Sequence, residues 1–157
     1  MARRRRAEKR DVAPDARYGS KLVTLLVNFT MRKGKKSVAE KIVYGAFDKI
    51  AAENQASNPL EVLERAVGNA RPRLEVKSRR VGGATYQVPL EIGGGRQVAL
   101  ALRWLVDFSH ARKGVLMVDA LASEIREASD GQGSCIRKRD EMHKMAQSNK
   151  AFAHFRW

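Results

Sequence analysis

The residues with reactive side chains stand too far apart to work together. His110, His143 and His154 fall in three separate segments, and no cysteine or carboxylate joins them at the spacing of a metal site. Gly93-Gly94-Gly95 is not followed by the Lys-Ser or Lys-Thr of a phosphate loop. Ser134 has no strand–turn–helix elbow around it, so it does not read as a hydrolase nucleophile. Cys135 is the only cysteine, which rules out an intrachain disulfide and suits a reducing compartment. It reads as a packed structural thiol rather than a reactive one. The carboxylates lie mostly beside basic residues on helix surfaces, as ordinary surface pairs do. No catalytic residue, metal, cofactor or small-molecule substrate is expected, and the chain does not read as an enzyme.

The chemistry that the residues do offer is neutralisation of phosphate charge. Lysine and arginine number 31 against 17 acids, a net charge of +14. The cations come in clusters. Arg3, Arg4, Arg5, Arg6, Lys9 and Arg10 open the chain; Arg32, Lys33, Lys35 and Lys36 crowd one turn; Arg71, Arg73, Lys77, Arg79 and Arg80 follow. Arg103 and Arg112 lie beyond the apolar stripe of one helix, and Arg137, Lys138, Arg139 and Lys144 load another. One such cluster could be a solvated face, but surface pairing cannot neutralise all of them. A polyanion can, and each phosphate contact on a single strand contributes about −0.7 to the log–log salt slope. Tyr86, Phe152, Phe155 and Trp157 are candidates for stacking on unpaired bases. Tyr86 reads better as packed on apolar surface, the tail aromatics fit either role, and Trp104 reads as core. A membrane partner is not expected. The apolar stretch Leu22–Phe29 is far short of the roughly 18 to 20 residues of a span, and the basic start lacks the apolar region of a signal peptide.

These cations need a scaffold, and 43% hydrophobic residues suffice for one core. Residues 1–17 read as a basic N-terminal arm that stays extended until it meets a polyanion. Residues 18–157 read as one helical domain. The spacing of Leu22, Leu25, Leu26 and Phe29 predicts a first helix, with Ser20 as N-cap and Gly34 as stop. A second runs from Ser37 to about Glu53 on a stripe of Val38, Ile42, Ala46 and Ile50 flanked by Val43 and Phe47, and Gly45 marks close packing. A third starts at Asn58-Pro59, with Glu61 completing a capping box and Leu60, Leu63 and Val67 inward.

At 73–92 the period changes. Leu74, Val76 and Ser78 alternate with charged residues, and Tyr86, Val88, Leu90 and Ile92 alternate after Gly82-Gly83, which predicts a protruding β-hairpin. Gly93–Gly95 reads as a flexible join. A fourth helix follows over about Gln97–Ala111 (Val98, Leu102, Leu105 and Val106 inward) and a fifth over about Val115–Ser129 (Met117, Leu121 and Ile125 inward). Asp130–Gly133 reads as a loop. A sixth helix covers about Cys135–Asn149 with Met142, Met145 and Ala146 inward. The fold class is mainly α: about six helices, with one hairpin between the third and fourth. From pattern alone the function is a basic helical nucleic-acid binder; an RNA-binding repressor and a DNA-architectural protein remain open.

Several strings resemble one family. Lys35-Lys36-Ser37-Val38-Ala39-Glu40-Lys41-Ile42-Val43-Tyr44-Gly45-Ala46 is similar to the second helix of small-subunit ribosomal protein family seven, bacterial type. Val76-Lys77-Ser78-Arg79-Arg80-Val81-Gly82-Gly83-Ala84-Thr85-Tyr86-Gln87-Val88-Pro89 resembles its hairpin. Leu102-Arg103-Trp104-Leu105 and Asn149–Trp157 also match, so the resemblance runs end to end. It implies a structural constituent of the small subunit in the cytoplasmic ribosome. The implied role is that of a primary rRNA binder that nucleates the subunit head beside neighbouring head and platform proteins. It further implies that the hairpin, Arg79, Arg80, Val81, Gly82, Gly83, Ala84 and Thr85, approaches exit-site tRNA and mRNA, and that such a protein can repress its own translation. Together with the cation clusters, the expected rRNA-binding residues are Arg3, Arg4, Arg5, Arg6, Arg10, Lys33, Lys35, Lys36, Arg71, Lys77, Arg103, Arg137, Lys138 and Arg139. Departures from the family are Gly93–Gly95, where Pro and Arg are common, Cys135 in place of a small residue, and Phe155 where Tyr is frequent.

Overall fold

A computed structural model describes residues 10–53 and 58–155. The arm residues Arg3, Arg4, Arg5 and Arg6 and the terminal Trp157 lie outside the described residues.

The first helix, α1 (Lys21–Thr30), begins where the Ser20 hydroxyl accepts the Leu22 N–H at 3.2 Å, satisfying an amide that the helix itself cannot. Its buried line is Val23, Leu26, Val27 and Thr30; Leu22, Leu25 and Phe29 of the expected stripe are only half-buried. The shift follows from packing on two sides, because α1 contacts both α2 (Lys36–Glu53) and α4 (Gly94–Ala111). In α2 the core residues are Ala39, Val43, Ala46, Phe47 and Ile50. Val38, expected inward, is 49% exposed, because the first turn of α2 overhangs a cleft instead of the core. Gly45 is a close-packing point as expected: a Cβ there would lie 3.1 Å from Val118 Cγ1. The third helix, α3 (Pro59–Ala70), starts on Asn58, whose side-chain oxygen accepts the Leu60 N–H at 3.1 Å. Glu61 is exposed and makes no return bond among the described residues, so the cap is one-sided. Leu63 and Val67 are fully buried and Leu60 half-buried.

The central helix is α5 (Met117–Ser129), which packs on α2, α3, α4 and α6 (Gly133–Ser148). It starts two residues later than expected and leaves Val115 and Leu116 exposed. In α6, Cys135, Ile136 and Ala146 are buried, but Met145, expected inward, is 51% exposed. That helix lies against α5 with its first turn and against the hairpin further on, so no single stripe faces one core.

The hairpin pairs β1 (Leu74–Val81) with β2 (Ala84–Glu91), antiparallel, from Leu74↔Glu91 to Val81↔Ala84. Gly82 and Gly83 form the two-residue turn with φ of +56° and +90°, the left-handed conformations such a tight turn requires. Directly opposed residues share a face, so Tyr86, Val88 and Leu90 lie with Arg79, Lys77 and Glu75. The apolar residues of β1, Leu74 and Val76, fall on the opposite face. The Val88 face is the one pressed inward: Val88 is fully buried, and Tyr86 meets the Phe152 ring at 5.1 Å in the 3-10 helix Lys150–Phe155.

The expected flexible join at Gly93–Gly95 is not one. Gly94 and Gly95 form the first turn of α4, with Gly93 as its N-cap. Gln97 Nε2 donates to Ile92 O at 2.8 Å, and Ile92 N–H to Arg73 O at 3.0 Å, so strand and helix are tied across the junction.

Candidate RNA-binding surface

The arm meets the helices through a web around Asp15. Tyr44 donates its hydroxyl to Asp15 Oδ1 at 2.6 Å, and the N–H groups of Arg17 and Tyr18 donate to Oδ2 at 3.0 Å each. Burial works to raise the Asp15 pKa, but these hydrogen bonds favour its charged form and hold it below the usual carboxylate value. The bond to Asp15 pushes Tyr44 up to about 12. Arg17 pairs with Asp48 at 2.6 Å and lies over the Tyr18 and Tyr44 rings at 5.3 and 5.5 Å. Thr24 Oγ1 donates to Ala13 O at 2.9 Å, so the chain is docked on α1 and α2 from Ala13 onward. Arg10, just before that anchor, is exposed.

The turn between α1 and α2 carries Arg32, Lys33, Lys35 and Lys36. Lys33 has a φ of +52°, the only positive value at a non-glycine among the described residues, followed by Gly34 at +73°. This left-handed pair lets the Lys35 N–H reach Arg32 O at 3.1 Å, closing the turn and crowding like charges together. Lys36 is offset by Glu40 at 3.6 Å. Arg32, Lys33 and Lys35 make no ion pair among the described residues, and all their charge is available to a partner.

Where α3 leaves for the hairpin, Arg71, Arg73, Arg139, Asp140 and His143 line a polar cleft of about 340 Å³. Arg73 N–H donates to His143 Nε2 at 2.9 Å, which fixes the imidazole as a neutral acceptor with its Nδ1 protonated. Burial and then Arg139 hold the His143 pKa below its ordinary value. Arg139 donates to Asn69 O at 2.6 Å and pairs with Asp140 at 2.6 Å, so part of its capacity is spent inside the protein. Arg71 is exposed at the end of α3.

On the hairpin, Lys77 lies 3.3 Å from Glu75, and Arg96 reaches the same carboxylate at 2.8 Å. Burial of Glu75 works to raise its pKa, yet bonds from Arg96 and Lys77 keep it below its usual value. Arg80, Gly82, Gly83, Ala84 and Thr85 are exposed at the tip, Arg79 is half-buried, and Val81 closes the ladder opposite Ala84. Arg103 is exposed on α4 with its guanidinium 6.0 Å over the Phe29 ring. On α6, Arg137 donates to Ser134 Oγ at 3.2 Å and Lys138 pairs loosely with Glu141 at 3.5 Å; both are exposed.

One basic residue leaves the surface set. Arg112 turns inward at the end of α4 and reaches Glu124 at 2.6 Å and Glu127 at 2.7 Å. Glu124 is fully buried and also accepts the Cys135 N–H at 3.2 Å. Pattern reading missed this buried acid, although Leu121, Glu124, Ile125 and Ala128 share helical spacing and put a carboxylate on the apolar stripe. Burial, and then the charge of Glu124, push the Cys135 thiol well up, which makes it a packed, unreactive group.

Among the described residues no three His, Cys, Asp or Glu could hold a metal ion, and no helix is long and apolar enough to cross a membrane. A helical scaffold that raises cations with no ion pair among the described residues on one turn, and exposes a glycine-tipped basic ribbon, defines a polyanion-binding protein. Residues 2–150 match the family model described as ribosomal protein S7p/S5e. The chain is 55% identical over 157 residues, all of both chains, to the small ribosomal subunit protein uS7 of Francisella tularensis subsp. holarctica strain OSU18. The protein of that name from subsp. novicida strain U112 is similar to the same degree and extent. The chain belongs to the ribosomal protein S7p/S5e family; it is a structural ribosomal protein and not an enzyme.

Proposed function

We propose that the chain is a constituent of the small subunit of the cytoplasmic ribosome, where it binds rRNA directly, early, and by charge and shape. The observation that carries this reading is the α1–α2 turn, whose Arg32, Lys33 and Lys35 have no ion pair to give up among the described residues. Lys36, Arg10, Arg71, Arg103, Arg137 and Lys138 extend the exposed basic surface, and Lys77 and Arg139 contribute the capacity their internal partners leave. Arg3, Arg4, Arg5 and Arg6 supply a further cationic run.

The early role is that of a nucleator of the subunit head, next to neighbouring head and platform proteins. The hairpin tip, Arg79 to Thr85, faces exit-site tRNA and the mRNA path. Its two glycines support that placement, because a tip without Cβ atoms admits a nucleic-acid backbone closely. Contacts made to phosphate and shape carry no base sequence. The surface therefore accepts a folded operon messenger in competition with rRNA, which is the physical basis for self-repression.

Sedimentation of a native lysate on a sucrose gradient, with the protein followed by immunoblot, tests the central reading. Co-migration with small subunits and whole ribosomes after a moderate-salt wash is the expected result. Residence in the light fractions would overturn it.

A further inference from the structure

The hairpin is held at its base from two sides, and the two holds differ in chemistry. On the α4 side, two nitrogens of Arg96 reach Glu75 Oε2 at 2.9 and 2.8 Å, and Gln97 Nε2 donates to Ile92 O at 2.8 Å. The Glu75 carboxyl stays below its usual pKa despite burial, so this pair keeps its charge through the whole range in which histidine titrates. On the α6 side, the hold includes a hydrogen bond whose acceptor titrates: the Arg73 N–H donates to His143 Nε2 at 2.9 Å. Only a neutral imidazole can accept it. A protonated ring carries a hydrogen on each nitrogen, and Nε2–H would then meet the Arg73 N–H donor to donor.

We propose that His143 is a proton-sensitive clasp that positions the hairpin: the neutral ring fixes the lead into β1 against α6, and the protonated ring lets it go. The hairpin is then held by Glu75 and Arg96 on the α4 side and by the Tyr86–Phe152 contact. The charged groups that face the ring are Arg71 at the end of α3, Arg73 ahead of β1, and Arg139 and Asp140 one turn back on α6. Among the described residues, no group of α4, α5, β2 or the 3-10 helix lines the cleft around it. Burial, and then Arg139 and Arg73 against an opposing Asp140, hold the pKa of the clasped ring below the ordinary 6.5. A released ring returns to the ordinary value. Closure is therefore complete above about 6.5 and is lost as pH falls below it, toward the lowered pKa of the clasped ring. The clasp needs no RNA, so it stands or falls apart from the function proposed above.

The test uses the full chain labelled with nitrogen-15, titrated from about pH 7.5 to about 5 and followed by nuclear magnetic resonance. At neutral pH the His143 ring is expected in the Nδ1-protonated form, with Nε2 as acceptor. The Arg73 amide shift should titrate together with that ring. Amide exchange at Arg73, corrected for the intrinsic effect of pH, should quicken by up to about tenfold for each pH unit below the ordinary histidine value, the slope of one linked proton. His143→Gln keeps an acceptor at the same reach and cannot titrate, so Arg73 protection in that variant should stay flat over the same range. His110 at the end of α4 and His154 on the 3-10 helix give their own ring signals, which separates their titrations from that of His143.

An Nε2-protonated His143 ring at neutral pH would overturn the proposal, and that reading needs no variant. So would an Arg73 amide whose protection ignores the His143 titration, or an equal loss of protection in His143→Gln. If the amide of Leu121, in the core, opens over the same pH range, acid unfolds the whole domain and there is no separate clasp.

Discussion

At the scale of single residues, the division among the cations is the main result. Thirty-one basic side chains look alike in the sequence, but the structure gives those among the described residues different surroundings. Arg112 is a core residue in effect, since its partner Glu124 has no access to water. Removing one member of a buried pair leaves the other charge uncompensated, which typically costs about 3 to 5 kcal/mol. Arg112→Ala should therefore lower unfolding stability by about that amount in urea titrations, whereas Arg32→Ala should change it by less than about 0.5 kcal/mol. Equal effects would mean that Glu124 finds another partner. Composition and clustering made the surface cations legible, because clusters such as 32–36 have few nearby acids in sequence, Glu40 beside Lys36 being the one that pairs. They could not separate Arg112, whose partners come from α5, or Arg139, which reaches α3 as well as its neighbour Asp140. Arg139 reaches Asn69 across 70 residues of sequence.

At the scale of elements, helix starts and the hairpin were largely readable, and helix faces were less so. Ser20 and Asn58 cap as their side-chain chemistry requires, and Gly82-Gly83 turns the ribbon where two alternating runs meet. The faces shifted because α1 and α6 each pack on more than one neighbour, which a single periodic stripe cannot encode. The glycine run 93–95 misled for a related reason. Glycine is permissive, not disordering, and here Gln97 and Arg96 tie the first turn of α4 to the strands. Gly95 lies inside that helix without a positive φ, and a Cβ added there would meet no neighbouring atom within 4 Å. Gly95→Ala should then stabilise the protein by about 0.4 to 1 kcal/mol, by reducing the freedom of the unfolded chain. Thermal unfolding should show a rise of about 1 to 4 °C. A fall would mean that the junction needs the freedom of glycine after all.

For the whole molecule, the proposed function divides the basic surface between two tasks. The helices and the α1–α2 turn form one basic body, and the hairpin that packs on α6 carries a second basic cluster. Arg79→Ala combined with Arg80→Ala should weaken retention of exit-site tRNA several-fold while gradients still show the protein in complete small subunits. Loss of the subunit head in that double variant would refute the division. One link between the two parts, besides those at the start of α4, is the Arg73 N–H to His143 bond, made between residues 70 positions apart. A ribosome adds about 5 to 20 residues per second, so a newly made hairpin, complete at Glu91, waits roughly 3 to 10 seconds for His143 on the helix that latches its base. During that interval the chain exposes a sticky cationic ribbon inside a cell full of RNA. The order of synthesis thus gives stray transcripts a first opportunity to capture the protein, before its own tail closes over the inner face of the ribbon.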